Sequence, residues 1–387
     1  MKKVSLLVTA IAVLLLCFAC DNNEPVNKKN EQEERFKAIA ASYLEHTVFP
    51  TYTELARQAD QLVADLKTLR ADKTQANLEK ACTTFLAARA AWEKSEAFLF
   101  GPANDFGIDP HIDSWPLDED AFNTGMNNHE LLENLDTEEG DVYAGSNLSP
   151  NLLGFHGIEY ILFENGHAKQ VSQISDLYMV YVIAVAGDLR NSCYQLEVSW
   201  MGDKAPAKHV QRMAALEYNV TVAGSEQSYG ENMLHAGLPG STYPSTTAVM
   251  QAILDGCVSI ADEVGASKIG KPNSGEDVSY IESPYSWNSI TDFYDNILSI
   301  KNSYYGGIEG NRDETNSLHA YMSSKMPALD LQIVAAIDTA LNAIGQNGSG
   351  MKYPFVNNIA DPTAKAASEA CSALASVIDQ AKTAIAQ

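Results

Sequence analysis

Apolar residues recur at steps of three and four along most of the chain, the spacing that lines one face of an α-helix. Over 32–69 the set Phe36, Ile39, Tyr43, Leu44, Leu55, Leu62, Leu66 and Leu69 predicts helix, with Pro50 as a break or kink. A second helix is predicted over 74–99, its face reading Leu78, Cys82, Phe85, Arg89, Trp92, Glu96. Helical patterning returns over 127–135, 152–163, 171–197, 206–238 and 246–264, then over 289–305, 317–343 and 362–386. The period-two alternation of a half-buried strand is weak throughout. Gly101, Pro102, Gly107, Pro110 and Pro116 predict irregular backbone over 101–116, and Pro272, Gly275 and Pro284 predict it over 265–285. Long irregular stretches inside a compact domain are more often functional than idle.

The pattern therefore predicts an all-α protein. At 387 residues the chain is long for one core, which predicts two helical-bundle domains, 33–200 and 206–387, with a cleft between them. Phe98-Leu99-Phe100-Gly101 and Ser303-Tyr304-Tyr305-Gly306 each close an aromatic-rich helix with glycine, which suggests a duplication. The joint is placed near 201–206.

The first residues follow a different plan. Lys2 and Lys3 precede an apolar stretch from Val4 to Ala19, and a small residue stands just before Cys20. That is the layout of a secretory signal peptide, and a cysteine at the cut predicts a lipoprotein signal over 1–19 with lipidation at Cys20. The stretch is shorter than the roughly 20 residues a spanning helix needs. Residues 20–32 are dense in charge and amide, which predicts a solvated tether. The expected location is the cell envelope, with the membrane reached through the lipid alone.

The chain holds 26 basic and 50 acidic residues, a net charge of −24, and loss of Lys2 and Lys3 with the signal makes it −26. This balance argues against nucleic acid as a partner, because that contact needs clustered Lys and Arg. It attracts cations, although solubility alone also explains it. Beyond Cys17 and Cys20 the cysteines are Cys82, Cys193, Cys257 and Cys371, too far apart for a cysteine zinc site. Their disulfide state is open at this point.

Two motifs fail on inspection. The stretch 265–272 approaches a phosphate-binding loop, but Pro272 stands where Ser or Thr would hold magnesium. His129-Glu130-Leu131-Leu132-Glu133 lacks the second histidine of a zinc protease helix. The segment 152–163 is more telling. It is apolar on nearly all sides, the mark of a buried helix, yet His156 and Glu159 interrupt it three residues apart, on one face. Buried ionisable groups need partners. Imidazole and carboxylate together suit iron, zinc or manganese better than calcium; the alternative is a structural His–Glu hydrogen bond.

Gly154-Phe155-His156-Gly157-Ile158-Glu159 resembles the G-x-H-x-x-E motif of the imelysin-like family. The blocks Trp92 to Pro102, Ile112-Asp113-Ser114-Trp115-Pro116 and Glu282 to Asp292 are similar to the family's other blocks, in the same order. The resemblance implies two helical bundles around a functional cleft, in exported proteins linked to bacterial iron uptake. It also brings a peptidase label. His156 and Glu159 are then expected as metal ligands. Glu96 is expected as a third ligand or as an ion-pair partner of Arg89. Asp113, Trp115, Ser283 and Asp292 become cleft candidates, against readings as a polar turn, a helix cap and a solvated carboxylate. Trp92 is a cleft candidate too and Glu231 a weaker one, with Trp92 and Trp115 both readable as packing. The expected function is capture of iron, another transition metal or a metal chelate, with a membrane iron transporter as possible partner. The alternative is a metallopeptidase using Glu159 as ligand or base.

Overall fold

The computed structural model describes residues 24–346 and 349–386. The signal segment 1–19 and Cys20 lie outside the described residues.

The described chain is mainly helical. Its only strand pairing among the described residues is a two-residue hairpin, Phe163–Glu164 with His167–Ala168, that closes the motif helix. We label the helices that build the core and the site: α1 Glu24–Tyr43, α2 Phe49–Ala71, α3 Gln75–Glu93, α4 Gly154–Leu162, α5 Asp176–Met201, α6 Thr246–Asp262, α7 Ser289–Tyr305, α8 Leu318–Lys325, α9 Pro327–Ile344 and α10 Pro362–Ala384. Their starts are chemically marked. The side chains of Thr74, Ser175, Ser245, Ser317 and Asp361 each accept from a backbone N–H in the first turn. Gly202 and Gly306, both at positive φ, end α5 and α7.

The predicted 32–69 element divides into α1 and α2, joined by a wide π-type turn over Leu44–Val48. Pro50 sits in the first turn of α2, where a missing N–H costs no bond. Helix α1 starts at Glu24, within the polar stretch 20–32. Elsewhere the boundaries move for local reasons. Helix α3 stops at Glu93, because the Ser95 hydroxyl and amide both turn back to Trp92 O, and the chain continues as a tight turn over Glu96–Phe98. The predicted 206–238 helix is two short ones, Ala207–Ala215 and Tyr229–Leu234, parted by Glu217 at φ 55° and Gly224 at φ 73°. Pro327 parts α8 from α9. The stretch 101–116 holds two short helices, Pro102–Asp105 and Ile108–Ile112, and the predicted loop over 265–285 begins as a wide turn over Glu263–Ile269.

Packing divides the long helices into two sets. Helix α2 packs on both α3 and α5, and α4 lies against α3 and α5. Helices α6, α7, α9 and α10 form the second set, and α1 leaves its sequence neighbours to pack on α6. The sets meet where α7 lies on α3 and where α6 meets the Glu96–Phe98 turn. Phe85, Trp92, Phe98, Phe155 and Trp200 are buried in the core. Each such side chain contributes roughly 1.5–3 kcal/mol or more to stability. Cys82, Cys193, Cys257 and Cys371 are free, buried thiols.

Candidate metal centre

The motif helix α4 is placed by its glycines. Gly154 stands at φ +62°, and a Cβ there would lie 1.8 Å from Ile112 O. A Cβ on Gly157 would meet Tyr181 Oη at 2.7 Å and Leu152 O at 2.9 Å. Only glycine lets α4 approach the 108–113 segment and α5 this closely. His156 and Glu159 are thereby held at the junction of the two sets, 2 % and 1 % exposed.

His156 Nε2 lies 3.0 Å from Asp113 Oδ1, and Nδ1 lies 3.4 Å from Glu159 Oε2. Asp113 is a hub. Its Oδ2 accepts from Trp92 Nε1 at 2.7 Å, and its Oδ1 also accepts from Arg89 Nη1. Arg89, buried on α3, faces three more carboxylates: Glu93 at 2.6 Å, Glu282 at 2.5 Å and Asp292 at 3.7 Å. Lys268, equally buried, is 3.1 Å from Glu282 and 3.8 Å from both Glu93 and Glu96. The Glu159 carboxylate ties α4 to the segment before α7: its Oε1 accepts from Tyr285 N at 3.1 Å, Ser286 N at 2.7 Å and Ser286 Oγ at 2.6 Å. Two residues of that segment, Ser283 and Trp287, carry φ of 52° and 59°. Such strain persists only where the surroundings hold it.

Six carboxylates (Glu93, Glu96, Asp113, Glu159, Glu282, Asp292) thus share this buried centre with three groups able to carry positive charge (Arg89, Lys268, His156). Fully ionised, the centre holds three negative charges in excess, which a low-dielectric interior tolerates only with protons or a bound cation. The individual groups follow this logic. Burial pushes Glu93 and Glu96 well above the carboxylate range, more than Arg89 or Lys268 can offset. Burial likewise brings Asp292 up to about 7 despite Arg89. For Asp113 burial loses to Arg89 and His156, which hold it well below its usual value. Burial would lower His156, but its hydrogen bonds to Asp113 and Glu159 raise it to about 9. At the edge, burial, Asp113 and Glu263 bring Asp109 up to about 7.

Ligand atoms of Asp113, His156 and Glu282 lie within 4.8 Å of one another, as do those of Glu93, Glu96 and Asp113. Glu282 Oε2 and Arg89 Nε are buried without a hydrogen-bond partner among the described residues.

Of the residues nominated from sequence, the structure brings together His156, Glu159, Asp113, Trp92, Asp292 and Ser283, whose hydroxyl donates to Asp292 at 2.5 Å. Trp115 is half-buried, its ring 5.2 Å from Lys268 Nζ and 5.7 Å from the His156 ring. Glu96 lies beside Lys268 and makes no pair with Arg89, because α3 ends before it. Glu231 is exposed and serves a helix start, accepting from Ser228 N at 3.0 Å and Ser228 Oγ at 3.1 Å. Sequence reasoning missed Glu93, Lys268 and Glu282.

An all-α protein whose helical sets meet over a buried, charge-rich centre is the class that fold and site define. The chain belongs to the imelysin family, Peptidase_M75, which it matches over residues 48–381. Iron-regulated protein A of Synechococcus elongatus is 28 % identical over 325 residues, covering 84 % of this chain and 78 % of that protein. A crystal structure of a candidate iron-regulated protein A precursor from Parabacteroides distasonis superposes with a TM-score of 0.76 at 28 % identity, covering 91 % of this chain and 95 % of the other. An imelysin-like protein from Psychrobacter arcticum shares the fold, with a TM-score of 0.59 at 14 % identity over 89 % of this chain and 93 % of its own.

Proposed function

We propose that this chain binds a divalent transition-metal ion, iron in its native setting, at Asp113, His156 and Glu282. The observation that carries the reading is the convergence of these three ligand atoms within 4.8 Å inside a centre with surplus carboxylates. An imidazole with carboxylates fits Fe²⁺, Mn²⁺ or Zn²⁺ better than calcium. The name of the Synechococcus relative favours iron among them. Glu159 orients the ring: its Oε1 is occupied by three donors, and its Oε2 faces His156 Nδ1. Such a carboxylate behind a ligating histidine sets tautomer and basicity. Arg89 and Lys268 hold the carboxylates together without metal. The depth of the centre favours a bare ion over a chelate, His156 being 2 % exposed.

The setting completes the proposal. The chain is exported, anchored by lipid at Cys20 in the cell envelope, and delivers its ion to a membrane iron transporter. The test is anaerobic titration of the lipid-free body with Fe²⁺ or Mn²⁺, followed by elemental analysis. One equivalent that disappears in His156→Ala supports the site, and equal binding by the variant removes it.

The family designation favours a second reading, a metallopeptidase. It requires an open coordination position and a general base. Metal-dependent cleavage of unfolded protein that Glu159→Gln abolishes would establish it in place of simple binding.

A further inference from the structure

A cavity of about 540 Å³ opens between the two helix sets, walled by Glu96, Asn104 and Asp109 on one side and by Asp255, Ser259 and Glu263 on the other. Its deepest acid, Glu96, is 6 % exposed. That carboxylate accepts no hydrogen bond among the described residues, and its nearest cation is Lys268 Nζ at 3.8 Å. It therefore faces both ways: it lines the cavity, and its ligand atom lies within 4.8 Å of those of Glu93 and Asp113 in the inner centre. Asp109 and Glu263 are half-buried, and their side chains also make no hydrogen bond among the described residues. Asp255, by contrast, is already paired with Lys382 at 2.6 Å. The Lys268 ammonium stands behind Glu96, 3.8 Å from it and 3.1 Å from Glu282.

Three acids left open toward one cavity crowd one another and the inner carboxylates, and the single ammonium behind Glu96 does not balance them, so a cation entering the cavity gains all three as ionised ligands. We propose that this cavity is an outer cation site, in which Glu96, Asp109 and Glu263 take a hydrated divalent metal ion and Glu96 hands it to the inner centre. The inference rests on the reading of the inner centre as a metal site and adds its route and its substrate form. An acidic mouth attracts an aquo cation and repels an anionic chelate. Water fills the remaining coordination positions in a cavity of this size. Lys268 pairs with Glu96 from the inner side when no ion is bound. It repels an ion that has reached the mouth until Glu96, shared by both sides, bridges the two.

The experiment uses the lipid-free body and Mn²⁺ alone, with stoichiometry from equilibrium dialysis and loading from stopped-flow mixing. Asp109→Asn/Glu263→Gln is compared with the parent and with His156→Ala, and Glu263→Gln alone serves as a milder variant whose melting temperature confirms folding. The parent takes up two equivalents, one of them weak. The double variant keeps the tight, His156-dependent equivalent, loses the weak one and loads at least tenfold more slowly. Equal stoichiometry and equal loading rate in the double variant overturn the outer site and leave the inner one standing. Loss of the tight equivalent in the double variant, with full binding by His156→Ala, overturns the inner reading and makes the cavity the metal site. No Mn²⁺ uptake by the parent overturns both.

Discussion

Arg89→Met removes the one guanidinium that faces Asp113, Glu93, Glu282 and Asp292 together. Methionine fills much of the same volume, so the change is mainly one of charge. Deleting one partner of a buried ion pair costs about 3–5 kcal/mol, and four dependent carboxylates place this case at the upper end. At about 2 cal/mol/K per residue, a body of roughly 360 residues unfolds with an entropy on the order of 0.7–0.8 kcal/mol/K, so Tm falls by about 4–7 °C. Calorimetry at pH 7 in the presence of a chelator reads the shift directly. The deficit should survive about 0.5 M salt, because buried charges are screened little. It should shrink toward pH 4, since carboxyls whose folded pKa is raised contribute stability below their unfolded value and lose it as pH rises. Added Mn²⁺ should restore part of the loss by supplying the missing charge. A Tm within 1–2 °C of the parent, or a deficit that salt abolishes, would refute the idea that Arg89 balances this centre.

Three other outcomes follow from the same geometry. With metal chelated, Tm should fall as pH rises from about 4 to about 9, because Asp292 is raised from 3.8 to about 7 and His156 from 6.5 to about 9. Asp292→Asn should flatten the lower part of that decline and leave the upper part, and a parent Tm that climbs over this range contradicts both assignments. Gly154→Ala should cost on the order of 3 kcal/mol or more by denaturant titration, since its Cβ would stand 1.8 Å from Ile112 O at φ +62°; a loss below 1 kcal/mol would mean the backbone yields easily. In a body beginning after Cys20, Cys82, Cys193, Cys257 and Cys371 should resist thiol reagents at pH 8 and all react in denaturant. Burial pushes the Cys82, Cys257 and Cys371 thiols up to about 12 and the Cys193 thiol further, and fast native labelling of any of them argues against this core.

The helices were legible because burial of one face writes a period into the sequence, and α2, α3, α6, α7 and α10 begin or end near the positions that period predicts. Where it failed, a backbone event intervened that hydrophobicity does not encode. The 206–238 pattern stays amphipathic on paper, while Glu217 at positive φ breaks it in space. The site divides in the same way. His156 and Glu159 stood out because charge in an apolar run is conspicuous. Glu93 was readable four residues after Arg89, yet Glu96 drew attention on the assumption that α3 continued. Lys268 sits in a stretch tested only as a phosphate loop, and its burial depends on the wide turn over Glu263–Ile269. Nothing local distinguishes Glu282 from its neighbours, because its partners come from α3 and the 263–269 turn, far away in the chain.

Helix α1 has a consequence for the order in which the molecule is made. Its apolar residues Phe36, Ile39, Ala40 and Tyr43 are buried, and the helix packs on α6, which is synthesised about two hundred residues later. Gln32 and Arg35 likewise bond to Tyr321 and Thr315. The beginning of the chain therefore waits, unseated, until most of the remainder has emerged. A nascent or truncated chain ending near residue 200 carries an uncovered greasy strip at its leading end, available to chaperones and to aggregation alike. Final closure of the molecule is a long-range event that joins its first helix to its last third.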